Sequence, residues 1–195
     1  MKLTKKFGAL IAAMSIAAAV VQPAEAGGLA GFNRQSLTTA KRMQEGRNVM
    51  APFAFIRFCT ASPADCRVSR EQTVAWSGSV NALIARTNWQ VNSRIRPTNE
   101  RSDTWRADVS SGDCEDFALT KRRHLIKAGL PSSALRIAVA KTPSGEGHAV
   151  LVVKTTRGDF VLDNRTNSVK LWQRTDLRWE KIASAENPYI WRKIV

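Results

Sequence analysis

Gly112-Asp113-Cys114-Glu115-Asp116-Phe117-Ala118 is the stretch on which the fold turns. A small residue, a good capping acid and two further acids in the first turn predict a helix start at Cys114. Ala118, Leu119, Leu125 and Ile126 recur about two turns apart, and basic residues from Lys121 to Lys127 fill the later turns. The helix is expected to run from Cys114 to Ala128 and to stop at Gly129-Leu130-Pro131. Cys114 then sits where unpaired backbone N–H groups and the helix dipole favour an anion, an environment that lowers a thiol pKa. Asp113, Glu115 and Asp116 act the other way, because like charges disfavour a thiolate unless they point away, cap the helix or are neutralised by a cation. A lone cysteine is more often packing than chemistry, so this one needs partners.

Downstream, three strand-like runs follow, Leu135 to Ala140, His148 to Lys154 and Asp159 to Asp163, joined at Pro143–Gly147 and Thr155–Gly158 by residues of hairpin composition. His148, Val150 and Val152 share one face of their strand. A four-residue turn at Thr155–Gly158 pairs Lys154 with Asp159 and Val150 with Asp163, which makes Asp163 a diagonal neighbour of His148, with Cβ atoms about 7–8 Å apart. The other imidazole, His124, lies mid-helix among Lys and Arg and reads as surface, roughly 15 Å along the helix from Cys114. Cys114, His148 and Asp163 are therefore the self-consistent set of nucleophile, base and orienting acid. The fold class is α+β, with the Cys114 helix packed on an antiparallel sheet that carries His148 and Asp163. No His/Cys cluster has zinc spacing, and there is no phosphate loop or dinucleotide fingerprint.

Upstream, Arg70 to Asn92 carries Val74, Trp76 or Ser77, Val80, Leu83, Ile84 and Val91 at helical steps, and Pro97 closes the pattern. Thr98 to Ser111 is polar and turn-like around Trp105, the stretch from Gly27 to about Thr38 is Gly-rich and irregular, and beyond Val169 the Trp172, Trp179 and Trp191 side chains anchor irregular or short elements. Residues 27–195 read as a single domain without internal repeats.

The N-terminus reads as a secretory signal over residues 1–26: Lys2, Lys5 and Lys6, an apolar run from Phe7 to Val21, and a small-x-small end at Ala24-Glu25-Ala26. The whole chain holds 30 Lys and Arg against 16 Asp and Glu, a net +14, and cleavage after Ala26 leaves +12. Such a balance in an intracellular protein would suggest nucleic acid; export directs the reading to periplasmic or secreted anionic partners instead, with no nucleic acid and no stable membrane insertion after cleavage. An exported chain can hold disulfides, and Cys59 and Cys66, separated by a Pro and small polar residues, are expected to pair.

The sequence also resembles a known family, the bacterial transglutaminase-like cysteine peptidases of papain/transglutaminase-like fold. The likeness rests on Trp89-Gln90-Val91-Asn92 with Ile95, Asp103-Thr104-Trp105, Gly112 to Ala118 with Lys121, Gly147-His148-Ala149-Val150-Leu151 and Val161-Leu162-Asp163-Asn164. The Cys59/Cys66 pair and the C-terminal Trp residues look like the family's too. The resemblance implies a Cys-His-Asp triad at Cys114, His148 and Asp163, cleavage of large surface adhesins in the periplasm, and calcium held by the acids flanking the cysteine, here Asp113 and Glu115. Calcium would also cancel the repulsion around the thiolate.

The expected activity is that of a thiol protease: Cys114 attacks a peptide carbonyl, His148 protonates the leaving amine, and backbone N–H groups near Cys114 help hold the oxyanion. Gln72, Trp76, Gln90 and Trp105 are the side-chain candidates for a further oxyanion donor. Two other functions fit the same residues: acyl transfer to an amine, as in a transglutaminase, and a non-enzymatic basic envelope-binding module with an inert Cys114.

Overall fold

The structure, a computed structural model, describes residues 42–99 and 103–195. The expected signal segment and the Gly-rich stretch after it lie outside the described residues. Among the described residues three α-helices occur in chain order, α1 (Phe53–Ala61), α2 (Gly78–Arg94) and α3 (Cys114–Lys127). The strands are β1 (Glu45–Val49), β2 (Arg96–Pro97), β3 (Ser111–Gly112), β4 (Leu135–Lys141), β5 (Gly147–Thr155), β6 (Gly158–Leu162), β7 (Lys170–Leu171), β8 (Arg178–Ala183) and β9 (Trp191–Ile194). Seven of them form one antiparallel sheet in the order β1-β9-β8-β4-β5-β6-β7, and β2 and β3 form a separate parallel pair.

The middles of the central strands are largely apolar on both faces because both faces are covered. Leu135, Ile137, Leu151, Val153 and Leu162 share the core with α1 and α3, where Phe55 meets Trp191 and Trp105 edge-on at 5.4 and 5.8 Å. Ala138, Ala140, Val150, Val152 and Val161 form a second cluster with Met43, Leu177, Ile182 and Ile194, against which Trp172 and Trp179 pack. The C-terminal tryptophans sit on short elements, as expected: Trp179 and Trp191 belong to β8 and β9, which extend the sheet beside β4.

The β5–β6 hairpin has the register expected from the sequence, with Lys154 opposite Asp159 and Leu151 opposite Leu162. One step further along, Asp163 leaves the strand opposite Val150. The upstream helix differs from expectation: it begins at Gly78, not Arg70. Val74 is held in extended form by bonds to this hairpin, its N–H donating to the Lys154 carbonyl and its carbonyl accepting from Thr156, both at 2.9 Å. Trp76 stacks on Phe160 with ring centres 4.3 Å apart, and the Ser77 hydroxyl caps the helix by accepting from the Val80 N–H at 3.1 Å. Those tertiary bonds outweigh the helical periodicity of residues 70–77.

Helix α3 ends as expected. Gly129 takes φ +90°, and Leu130 and Gly129 donate to the Leu125 and Ile126 carbonyls, a Schellman-type close. Its basic run is not a solvated face, because Lys121 and Arg122 are buried. Arg122 donates to the carbonyls of Leu135, Asp65 and Ser132, and so ties α3 to the start of β4 and to the turn carrying Cys66. Cys59 and Cys66 are joined by a disulfide. No helix among the described residues is long and apolar enough to cross a membrane.

Candidate active site

Two short devices set the position of Cys114. Strand β2 pairs with β3, with Arg96 donating to the Ser110 carbonyl and Thr98 to that of Gly112, so the two ends of the intervening segment are tied immediately before the helix. Behind Gly112 lies the fully buried carboxylate of Asp116, which accepts from the Arg106 N–H at 2.7 Å; a Cβ on Gly112 would run into that side chain. Asp113 stands at the N-cap position, yet its side chain makes no cap hydrogen bond. The expectation that it caps the helix is corrected to this extent: its carboxylate lines a cleft instead.

That cleft has a volume of about 810 Å³ and is lined by Asp113, Cys114 and Glu115 from the helix start, by Glu146, Gly147 and His148 from the entry to β5, and by Asn164 and Arg165 from the exit of β6. The Ala149 N–H, next to His148, approaches the Cys114 sulfur at 3.4 Å. His148 Nε2 lies 2.9 Å from Asp163 Oδ1, with both side chains nearly buried. The structure therefore brings the three sequence candidates to one end of the β5–β6 hairpin. His124 is elsewhere, 2.9 Å from Asp108 on the outer side of α3.

The electrostatics of the two ends differ. Burial works against the ionised form of Asp163, but hydrogen bonds from His148 and Arg165 outweigh it and hold the carboxyl well below the usual range. At Cys114 burial pushes the thiol pKa far up, and the charge of Glu115 and the hydrogen bond to it push further, with only the Ala149 N–H opposing. The thiol donates to Glu115 Oε2 at 2.8 Å, so the sulfur is held protonated.

Several residues of the site were not read from the sequence. Arg165 donates its backbone N–H to Asp163 Oδ1 at 2.9 Å, its Nε and Nη2 to Oδ2 at 3.1 and 2.9 Å, and reaches Asp176 at 2.6 Å. Asp-Asn-Arg signals an Asx turn, which is present, but nothing local announces the guanidinium fork. Asn92 on α2 donates to the Asp163 and Thr166 carbonyls at 3.1 Å, and Asn88 one turn earlier to Thr166 at 3.0 Å; two Asn four residues apart on an otherwise apolar stripe were the available signal. Gln72, Trp76, Gln90 and Trp105 do not line the cleft. Trp105 is buried with its indole N–H on Asp103, and Thr98 and Asn99 line the cleft.

A hard cation is compatible with the donors present. Two carboxylates flank the thiol in one cleft, and their charge is part of what raises its pKa. Among the described residues no three His, Cys, Asp or Glu side chains form a metal cluster, so Asp113 and Glu115 would need further oxygen ligands from other side chains, backbone carbonyls or water.

A cysteine at a helix start, facing a histidine and an acid on an antiparallel sheet, defines the class of papain/transglutaminase-like thiol enzymes. The family model described as bacterial transglutaminase-like cysteine proteinase matches residues 45–195, and the chain belongs to that family of cysteine peptidases. Among solved structures, LapG of Legionella pneumophila is similar, with 27% identity over 58% of this chain and 67% of that one and a TM-score of 0.50. Calcium-bound LapG of the same organism matches in fold, with 22% identity, 81% and 84% coverage and a TM-score of 0.52. No curated protein sequence matches the chain.

Proposed function

We propose that the protein is an exported, periplasmic or secreted peptidase that hydrolyses a peptide bond in a cell-envelope or surface protein, with Cys114 as nucleophile, His148 as base and acid, and Asp163 as the group that orients His148. The observation that carries this reading is the 2.9 Å His148–Asp163 contact at the cleft that also exposes Cys114. With Nε2 engaged by Asp163, Nδ1 is the ring nitrogen left to take the thiol proton. The thiolate attacks the carbonyl carbon, the N–H groups at the start of α3 hold the oxyanion, and His148 returns the proton to the leaving amine. Water then opens the thioester, giving up its proton through His148, and the free thiol is restored.

Asp113 and Glu115 are the residues that would hold calcium, in keeping with the calcium-bound state of LapG. A cation held by these two residues would supply positive charge that offsets the two carboxylates beside the thiol. Cleavage of a large adhesin is the substrate class that the family likeness supports.

The test is the rate of Cys114 alkylation against pH, with calcium and with chelator, beside His148→Ala. Fast reaction well below pH 8 that slows in the variant and depends on calcium is expected. A thiol that titrates identically in every condition would overturn the assignment of the triad and the metal together.

A further inference from the structure

Two arginines are buried where α3 gives way to β4, Arg122 at 5% exposure and Arg136 at 4%. Arg122 donates to three backbone carbonyls, those of Leu135, Asp65 and Ser132. Burial pushes it down to about 10, and the opposing pull comes from Asp65, whose carboxylate is already held by Arg123 at 2.6 Å. Arg136 donates Nε to the Ala183 carbonyl and Nη1 to Glu45, both at 2.6 Å. Its remaining amino group, Nη2, is buried and has no hydrogen-bond partner among the described residues. A charged donor left unmet in the interior is strongly unfavourable, so this group calls for an acceptor.

Both arginines line one cavity of about 10 Å³, which is room for a single water-sized species. Its polar lining is Arg67, Arg122, Arg136, Ser132, Ser133 and Ser184, and no described Asp or Glu borders it. Ser132 and Ser133 donate their hydroxyls elsewhere, to the carbonyls of Arg67 at 2.6 Å and Ser69 at 3.1 Å. Ser184 accepts from the Glu186 N–H at 3.1 Å and keeps its own proton to donate. The carbonyls of Ser132, Leu135 and Ala183 already accept from the two arginines. The cavity therefore offers donors and positive charge. A water molecule must donate as well as accept, whereas an anion only accepts, so the lining suits an anion better than water.

We propose that this cavity is a binding site for one small monovalent anion of halide size, chloride being the abundant example. The ion accepts from Arg136 Nη2 and Ser184 Oγ and offsets the like charges of the buried guanidiniums. It joins three segments, the α3–β4 connection, the turn after β8 and the chain that follows Cys66, and so acts on stability. None of the lining residues borders the Cys114 cleft, and the inference stands apart from the reading of the triad.

The probe is chloride itself, exchanged for gluconate, an anion too large for the cavity, at constant ionic strength. The chloride NMR line should broaden in the presence of the protein by an amount that saturates at one ion per chain. The melting temperature should rise by roughly 2–4 °C once chloride exceeds its dissociation constant about fivefold. Arg136→Gln should abolish both the saturable broadening and the rise. Arg67 is exposed and its side chain makes no hydrogen bond among the described residues, so Arg67→Ala should keep the fold and weaken chloride binding several-fold. Broadening that never saturates would mean surface screening by a basic protein, and a melting temperature indifferent to the exchange would mean that water fills the cavity; either overturns the proposal. So does saturable binding that survives Arg136→Gln or, should that variant fail to fold, is undiminished in Arg67→Ala.

Discussion

The hydrogen bond from the Cys114 thiol to Glu115 sets the resting chemistry of the site. Burial, the Glu115 charge and this bond all favour S–H, so the helix start that lowers thiol pKa elsewhere is overridden here. Glu115→Gln removes the charge and keeps the shape. In chelator, alkylation of that variant near pH 8 is expected to be about tenfold faster than that of the unaltered protein, the effect of roughly one pH unit; an unchanged rate would mean that burial alone holds the proton. His148 and Asp163 were legible in the sequence because strand alternation and a four-residue connection fix their diagonal relation. Lys121 was read as one member of a basic run, although its seven-residue spacing from Cys114 and four from Phe117 places it on the buried stripe. Periodicity assigned it to the inside; its charge argued for the outside.

Elements whose ends are written in local chemistry were predicted well, and those that depend on distant partners were not. Helix α3 has both signals and runs from Cys114 to Lys127. The start of α2 depends on the hairpin that captures Val74, which no window around Arg70 reveals. Strands β1, β8 and β9 are short and rich in charged residues, and they exist because they pair with one another and with β4. Ser77 marks the true start of α2, so Ser77→Ala should cost about 1 kcal/mol. The expected drop in melting temperature is roughly 2–4 °C for a domain of this size. Ser93→Ala is the control, because its hydroxyl lies near the other end of the same helix and donates to the Trp89 carbonyl.

Across the whole molecule, the acid side of the stability curve reports on the site. The carboxyl of Asp163 is held below its ordinary value in the folded chain, so the folded state resists protonation there more than the unfolded state does. Its contribution is complete above the ordinary carboxylate range and is lost as pH falls below about 4. Asp159, raised by burial despite the Met43 N–H, runs the other way and offsets part of the loss. Denaturant melts of the unaltered protein should therefore weaken steeply below about pH 4, and Asp163→Asn should flatten that limb while lowering stability at neutral pH. Equal slopes in the two proteins would show that Asp163 contributes no such linkage.

The carboxylate that holds the Cys114 proton also has a bearing on chemical durability. Peroxide oxidises thiolates far faster than thiols, and the product ladder ends in acids that the chain cannot reverse. A sulfur kept as S–H by Glu115 is oxidised more slowly than a free thiolate, and becomes vulnerable when that proton is lost.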